Sequence, residues 1–212
     1  MNIIRRRGWE LPERLVTPER FFLNRRSLLT GAAGSLAGSL VAPGFAAAAA
    51  TVNPKFKDAG RAVTDESYNT TFNNFYEFGS SKRIADAAQA LVTSPWPIVI
   101  DGEVEAPMTL DINELLKKVT LEERIVRHRC VEAWAMVVPW TGFPLSQLVA
   151  LAKPKADAKY IRFETFNNPD MAPGQKPGLF TEYPWPYTEG LTMAEATNEL
   201  AFMVTGAYGK DL

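Results

Sequence analysis

The chain has 212 residues, 46% of them hydrophobic and 22% charged, which suits one globular domain with an extension and excludes a disordered or fibrous protein. The formal net charge is -1, and the first 48 residues hold seven of the 23 basic and three of the 24 acidic residues. The remainder keeps 16 basic against 21 acidic groups, so no basic face for nucleic acid is expected.

Arg5, Arg6, Arg7, Arg14 and Arg20 precede Asn24-Arg25-Arg26-Ser27-Leu28-Leu29, and an uncharged run over 28–54 follows, with alanines at 46–50. A basic region, then an apolar region, then Ala-x-Ala is the order of an export signal, and paired arginines before Ser-Leu-Leu make it a twin-arginine signal. The signal is read over residues 1–48, with cleavage near Ala48. An uncleaved anchor is the competing reading, since the run is long enough to span a bilayer; its glycines, serines and proline make it weakly apolar. The mature protein is therefore expected in the periplasm. Twin-arginine export carries proteins already folded, often around a cofactor, so a cofactor protein is expected as well.

Residues 49–70 are mostly polar and lack periodicity, and read as an extended lead-in. The stretch 68–79 then puts five aromatics and three Asn into twelve positions. Flat apolar rings beside groups that both donate and accept hydrogen bonds suit the wall of a polar heterocycle, and equally a loop whose rings fill the core. A helix is predicted over 81–92, ended by Pro95 and Pro97, and a strand over 98–104 turning at Asp101-Gly102. Thr109-Leu110-Asp111 caps a short helix through Lys118. Residues 121–129 read as a strand that delivers Cys130 at its end, where ligands and catalytic groups commonly sit. A short helix or turn is predicted over 131–138, a turn over 140–144, and a helix over 145–152 opened by Pro144. The clearest alternating strand is 159–165. Residues 167–190, with five prolines and three glycines, read as a long surface loop. A helical turn over 192–197 and a last strand over 200–204 complete the pass, and the final residues show no closing element.

Arg127-His128-Arg129-Cys130-Val131-Glu132-Ala133-Trp134 holds the sole cysteine and the sole histidine. One Cys cannot form an intramolecular disulfide or supply the several thiolates of an iron-sulfur cluster or structural zinc site. Three roles stay open: a buried inert thiol, a nucleophile, or a single thiolate ligand to a metal held mainly by other ligands. Arg127 and Arg129 would favour a thiolate, while a free Cys is often simply a small buried hydrophobe.

Taken together, several blocks resemble one family. They are Asn73-Asn74-Phe75-Tyr76-Glu77-Phe78-Gly79, Leu121-Glu122-Glu123-Arg124-Ile125, Arg129-Cys130-Val131-Glu132-Ala133-Trp134, Met136-Val137-Val138-Pro139-Trp140, Gly142-Phe143-Pro144-Leu145, Lys159-Tyr160 with Phe163-Glu164-Thr165, and Tyr208-Gly209-Lys210. The family is the molybdopterin-dependent catalytic subunit of the periplasmic protein-methionine-sulfoxide reductase system, a branch of the sulfite oxidase superfamily. The resemblance runs from about Tyr68 to Leu212.

It implies an α+β, sulfite-oxidase-like molybdopterin-binding fold of mixed sheets and short helices. Residues 71–212 would be its N-terminal part, because family chains continue past the Tyr-Gly-Lys block and add Asn, Arg and Gly-Phe-Lys contacts to the cofactor. It implies that Cys130 ligates the metal of Mo-molybdopterin beside the two dithiolene sulfurs. Asn73, Tyr76, Glu77 and Thr165 fall on cofactor-binding positions. Glu132 falls on the acidic residue near the metal, where a carboxylate would relay protons as a sulfoxide oxygen leaves as water. The implied activity is reduction of methionine sulfoxide in oxidised periplasmic proteins, with electrons from the quinone pool through a membrane haem-binding subunit. Two alternatives stand beside it: a sulfite-oxidase-like enzyme acting on another S- or N-oxide, and a non-catalytic truncated periplasmic protein with an inert Cys.

Overall fold

The computed structural model describes residues 50–74, 76–178 and 183–212; the predicted export signal over 1–48 lies outside them, as do residue 75 and residues 179–182. The architecture is α+β, with three sheets and five short helices among the described residues. Its largest sheet is built around two strands, β4 (Glu122–Arg129), which carries Ile125 and Val126 among charged residues, and β5 (Ala135–Pro144), rich in β-branched and aromatic residues. They pair antiparallel from Glu122 opposite Gly142 to Arg129 opposite Ala135. On one edge β1 (Thr51–Val52) runs parallel to β4. On the other, β8 (Phe202–Ala207) pairs with β5 and β9 (Lys210–Asp211) with β8, giving the order β1-β4-β5-β8-β9.

The strand β5 was not expected from sequence, which put a helix or turn and then a turn over these residues. Two prolines argue against a strand interior, because proline cannot donate to the ladder. Pro139 is tolerated for a local reason. Its carbonyl accepts the Tyr208 amide (3.0 Å), so its nitrogen points to the same side, where β8 has already ended in a turn. That turn, Tyr208-Gly209, has both residues at positive φ (54° and 71°) and so forms the tight hairpin to β9 that the sequence reading lacked.

Two hairpins flank the sheet in chain order. In one, β2 (Pro97–Ile100) pairs with β3 (Met108–Asp111), and Asp111 caps α3 (Ile112–Leu116) by accepting the Asn113 amide at 2.9 Å. In the other, β6 (Tyr160–Glu164) pairs with β7 (Thr188–Thr192), which takes the last residues of the predicted loop. Thr192 and Glu195 form a reciprocal capping box on α5 (Met193–Ala196). The helix α4 (Leu145–Ala152) follows β5 directly and ends at Lys153 in the left-handed region.

The core sits between these layers. Val137, Val138 and Phe143 from β5 and Leu115 from α3 are essentially inaccessible. Leu145 and Val149, one turn apart on α4, bury against Ala196 of α5, with Ile161, Phe163 and Leu191 from the β6–β7 hairpin around them. Each such side chain contributes roughly 1.5 to 3 kcal/mol on leaving water.

The predicted helix over 81–92 shrinks to α2 (Ala85–Ala88), with α1 (Glu66–Thr70) lying earlier in the lead-in. The Lys82 carbonyl, which a longer helix would offer to the amide four residues on, accepts the Asn73 amide instead (3.1 Å). At the other end the amides of Ala90 and Leu91 bond three residues back, closing the helix into turns.

Candidate cofactor site

Cys130 leaves β4 and enters a turn that folds back on itself. Its amide donates to the Trp134 carbonyl (3.1 Å) and its carbonyl accepts from Ala133 (3.0 Å), which sits at φ 64°. The thiol is free and half-buried, while Val131 at the tip is almost wholly exposed. Rigid β pairing up to Arg129–Ala135 therefore anchors both arms of the turn that carries the sulfur.

The arginines before it do not share one role. Arg127 is committed to the lead-in, donating from Nε to the Ala59 carbonyl (2.7 Å) and from Nη2 to the Gly60 carbonyl (3.3 Å). His128 packs edge-on against Trp140. The cation set against this turn is Lys82, which the sequence reading did not single out: its ammonium lies 3.6 Å from Glu132 and 5.2 Å from the Trp134 ring centre.

The Asn73 to Glu77 segment is joined to the turn by the same elements. The Trp134 indole N–H donates to Asn74 Oδ1 at 2.7 Å, and Asn73 is tied through its amide to Lys82. Tyr76, at φ 91°, stacks on Tyr183 (centres 6.5 Å apart), and its amide donates to the Gly79 carbonyl (2.8 Å). Glu77 is half-buried, and its carbonyl accepts the Gly174 amide at 2.8 Å. Gly174 is required there, because a Cβ on it would lie 1.7 Å from the Tyr76 carbonyl oxygen.

Thr165 lies just beyond β6, exposed, with its amide on the Tyr187 carbonyl (3.0 Å) and its hydroxyl toward the Phe166 carbonyl (3.3 Å). Its connection to the Tyr76 side runs through Gln175, buried to 4% exposure. Gln175 donates to the Phe166 carbonyl (2.8 Å) and accepts the Asn168 amide (2.7 Å), next to the Gly174 contact. The rings of Phe166 and Phe78 also meet at 6.3 Å.

The structure thus links Asn73, Tyr76 and Glu77 to the Cys130 and Glu132 turn, and links Thr165 to that segment from the other side. Gln175 and Gly174 were hidden from sequence inside the Pro/Gly-rich stretch, where a buried amide carries no periodic signal. Neither the cavity of about 410 Å³ beside Gln175, Tyr183 and Trp185 nor the apolar cleft of about 810 Å³ between the β2–β3 hairpin and α4 includes any of the six predicted site residues. Of the predicted residues, Asn73, Tyr76 and Thr165 are exposed, while Glu77, Cys130 and Glu132 are half-buried.

Tyr187, beyond the Thr165 contact, hydrogen-bonds to Glu189, and this bond, with some burial and the Glu189 charge, pushes its hydroxyl up to about 12. Burial raises Tyr208 as well, and its hydroxyl donates to the Thr64 carbonyl at 2.7 Å.

Residues 85–212 match the oxidoreductase molybdopterin binding domain family. The protein-methionine-sulfoxide reductase catalytic subunit of Burkholderia mallei (strain ATCC 23344) is 42% identical over 97% of this chain and 65% of its own length. That of Pseudomonas syringae pv. tomato (strain ATCC BAA-871 / DC3000) is 44% identical over 93% of this chain and 65% of its own length. The chain thus spans just under two thirds of the relatives it matches.

The donor set fits such a cofactor. Among the described residues no three His, Cys, Asp or Glu side chains gather to hold a metal, and the one sulfur of a cysteine on offer is that of Cys130. A metal that arrives with two dithiolene sulfurs of its own needs no more soft ligands than that. With the family match covering more than half of the chain and relatives above 40% identity, the chain belongs to the oxidoreductase molybdopterin binding domain family.

Proposed function

We propose that this chain belongs to a periplasmic enzyme that reduces methionine sulfoxide in oxidised proteins, exported by the twin-arginine route and fed with electrons from the quinone pool by a membrane haem-binding subunit. The observation that carries the reading is the sole cysteine, held on a rigid turn and tied to the Asn73 to Glu77 segment, in a chain over 40% identical to relatives named for that reaction. Sulfoxide reduction takes two electrons and two protons and releases the oxygen as water, and Met sulfoxide is the reversible first oxidation product of Met. The bound cofactor supplies the redox centre and the site of oxygen transfer.

The chain's own residues have narrower tasks. Cys130 Sγ provides the protein's ligand, and the anchored turn fixes its direction. Asn73, Tyr76, Glu77 and Thr165 supply hydrogen-bonding groups for the pterin. Glu132, two residues from the ligand and half-buried, places a carboxylate where protons must arrive.

The test is direct. The protein, purified from cells able to make the cofactor, is expected to contain molybdenum and to reduce a methionine sulfoxide peptide with an artificial electron donor. Absence of molybdenum ends the proposal. Molybdenum with activity only on another S- or N-oxide keeps the cofactor and overturns the substrate.

A further inference from the structure

Lys82 lies outside the sequence blocks that carry the family resemblance. Its carbonyl accepts the Asn73 amide at 3.1 Å, while its side chain reaches across to the cysteine turn, 3.6 Å from Glu132 and over the Trp134 ring at 5.2 Å. The Trp134 indole N–H returns to the Asn73 segment through Asn74 Oδ1 at 2.7 Å. These contacts close a ring, Asn73 to Lys82 to Glu132 and Trp134 to Asn74, across chain separations of 50 residues (Lys82 to Glu132) and 60 residues (Asn74 to Trp134). The Lys82 and Glu132 side chains are 31% and 28% exposed, so the pair is shielded on most of its surface, unlike the bridges of Lys153 and Lys155.

We infer that Lys82 is a positioning residue for the cofactor: it holds the turn bearing Cys130 at a fixed distance and angle from the Asn73 to Glu77 segment, so that the thiolate and the pterin-binding groups meet one rigid ligand. The inference rests on the cofactor reading above. A metal ligand and a set of hydrogen-bonding groups on separate loops must hold their mutual geometry before the ligand arrives, and outer partners of that kind typically change metal affinity by roughly 10- to 100-fold. The side chain acts in two ways at once. Its charge pairs with Glu132, and its ammonium lies over the Trp134 ring whose N–H holds Asn74.

The test compares the full-length protein with Lys82→Met, Lys82→Arg and Trp134→Phe, all made in cells competent for the cofactor. Molybdenum per protein, the Mo(V) electron paramagnetic resonance spectrum and the thermal midpoint of the metal-free protein are read for each. Lys82→Met keeps the apolar stem and is expected to hold roughly tenfold less molybdenum, with an altered Mo(V) spectrum and a metal-free midpoint near wild type. Lys82→Arg keeps a cation over the ring and is expected to return loading and spectrum toward wild type. Trp134→Phe, which loses only the bond to Asn74 and part of the ring, is expected to shift the spectrum in the same direction. This second site decides the matter should Lys82→Met fail to fold. Wild-type loading and spectrum in the folded Lys82→Met or Trp134→Phe protein overturns the inference while leaving the cofactor reading intact. A wild-type protein without molybdenum removes the cofactor reading, and the inference with it.

Discussion

In the proposed function one sulfur, that of Cys130, is the protein's ligand to the metal, so the first consequence falls on one residue. Cys130→Ser keeps the size and the backbone turn, whose hydrogen bonds involve only main-chain groups of Cys130, Ala133 and Trp134. It is expected to fold with an unchanged thermal midpoint in the metal-free form and to lose molybdenum by at least about a hundredfold, as read by elemental analysis. The phenol of Tyr187 gives a pH-dependent prediction. Its folded value is raised from 10.0 to about 12, chiefly because its hydroxyl donates to Glu189. A group that holds its proton more firmly in the folded state contributes stability in full below its ordinary value and loses it as pH rises through the folded one. The stability difference between wild type and Tyr187→Phe should be constant below pH 10 and shrink from pH 10 toward 12 in urea titrations. A difference that grows with pH over that range would contradict the assignment.

Among the elements, the 173–175 turn packs tightly on the Tyr76 segment, since its glycine leaves no room for a methyl group beside Tyr76. Gly174→Ala is expected to lower stability by about 1 to 3 kcal/mol in denaturant unfolding, because the obstacle is backbone and cannot rotate away. It should also weaken cofactor retention, as Tyr76 and Glu77 are displaced. The sequence made some elements plain and hid others for identifiable reasons. The alternating residues of β6 and the apolar face of α4 behind Pro144 were legible because each obeys a local period, and the strand leading to Cys130 was legible from a partial alternation. Strand β5 was not legible, because Pro139 breaks the local rule and is rescued only by the turn of a hairpin some seventy residues away. The helix over 81–92 was overcalled for the opposite reason: its composition favours helix, but the Lys82 carbonyl is taken by a distant amide. The candidate site divides in the same manner. Cys130 and Glu132 are close in sequence and stood out by type, whereas Lys82 is an ordinary lysine until Trp134 and Glu132 are brought to it by the sheet.

Across the whole molecule, the question is what fastens the lead-in to the sheet that bears the cysteine. Arg124 answers it from the first half of β4. Its guanidinium lies between the rings of Phe56 and Phe202, 4.5 and 4.4 Å from their centres, with Nε on Glu122 (2.5 Å) and Nη1 on the Glu199 carbonyl (2.7 Å). Glu122 in turn accepts from the Asn53 side chain at 2.9 Å, and Lys55 pairs with Glu199. Lead-in, β4 and the residues before β8 thus converge on one buried cation at 5% exposure. Removing it strands a half-buried carboxylate and separates two rings that had packed against it, which costs roughly 2 to 4 kcal/mol for a pair of this kind. Arg124→Ala is therefore expected to lower stability by about that amount, and to speed exchange of the Asn53 and Phe56 amides, which bond to Glu123 and Asn53, well before the β4–β5 amides are affected. Lys155→Ala provides the control: its bridge to Glu103 is more than half exposed on both sides, and such pairs contribute about 0 to 1 kcal/mol. If the two substitutions changed stability equally, or if Arg124→Ala left lead-in exchange at wild-type rates, the lead-in would have to be fastened by its other contacts, the short parallel pairing with β4, the Arg127 bonds to Ala59 and Gly60 and the Tyr208 bond to Thr64.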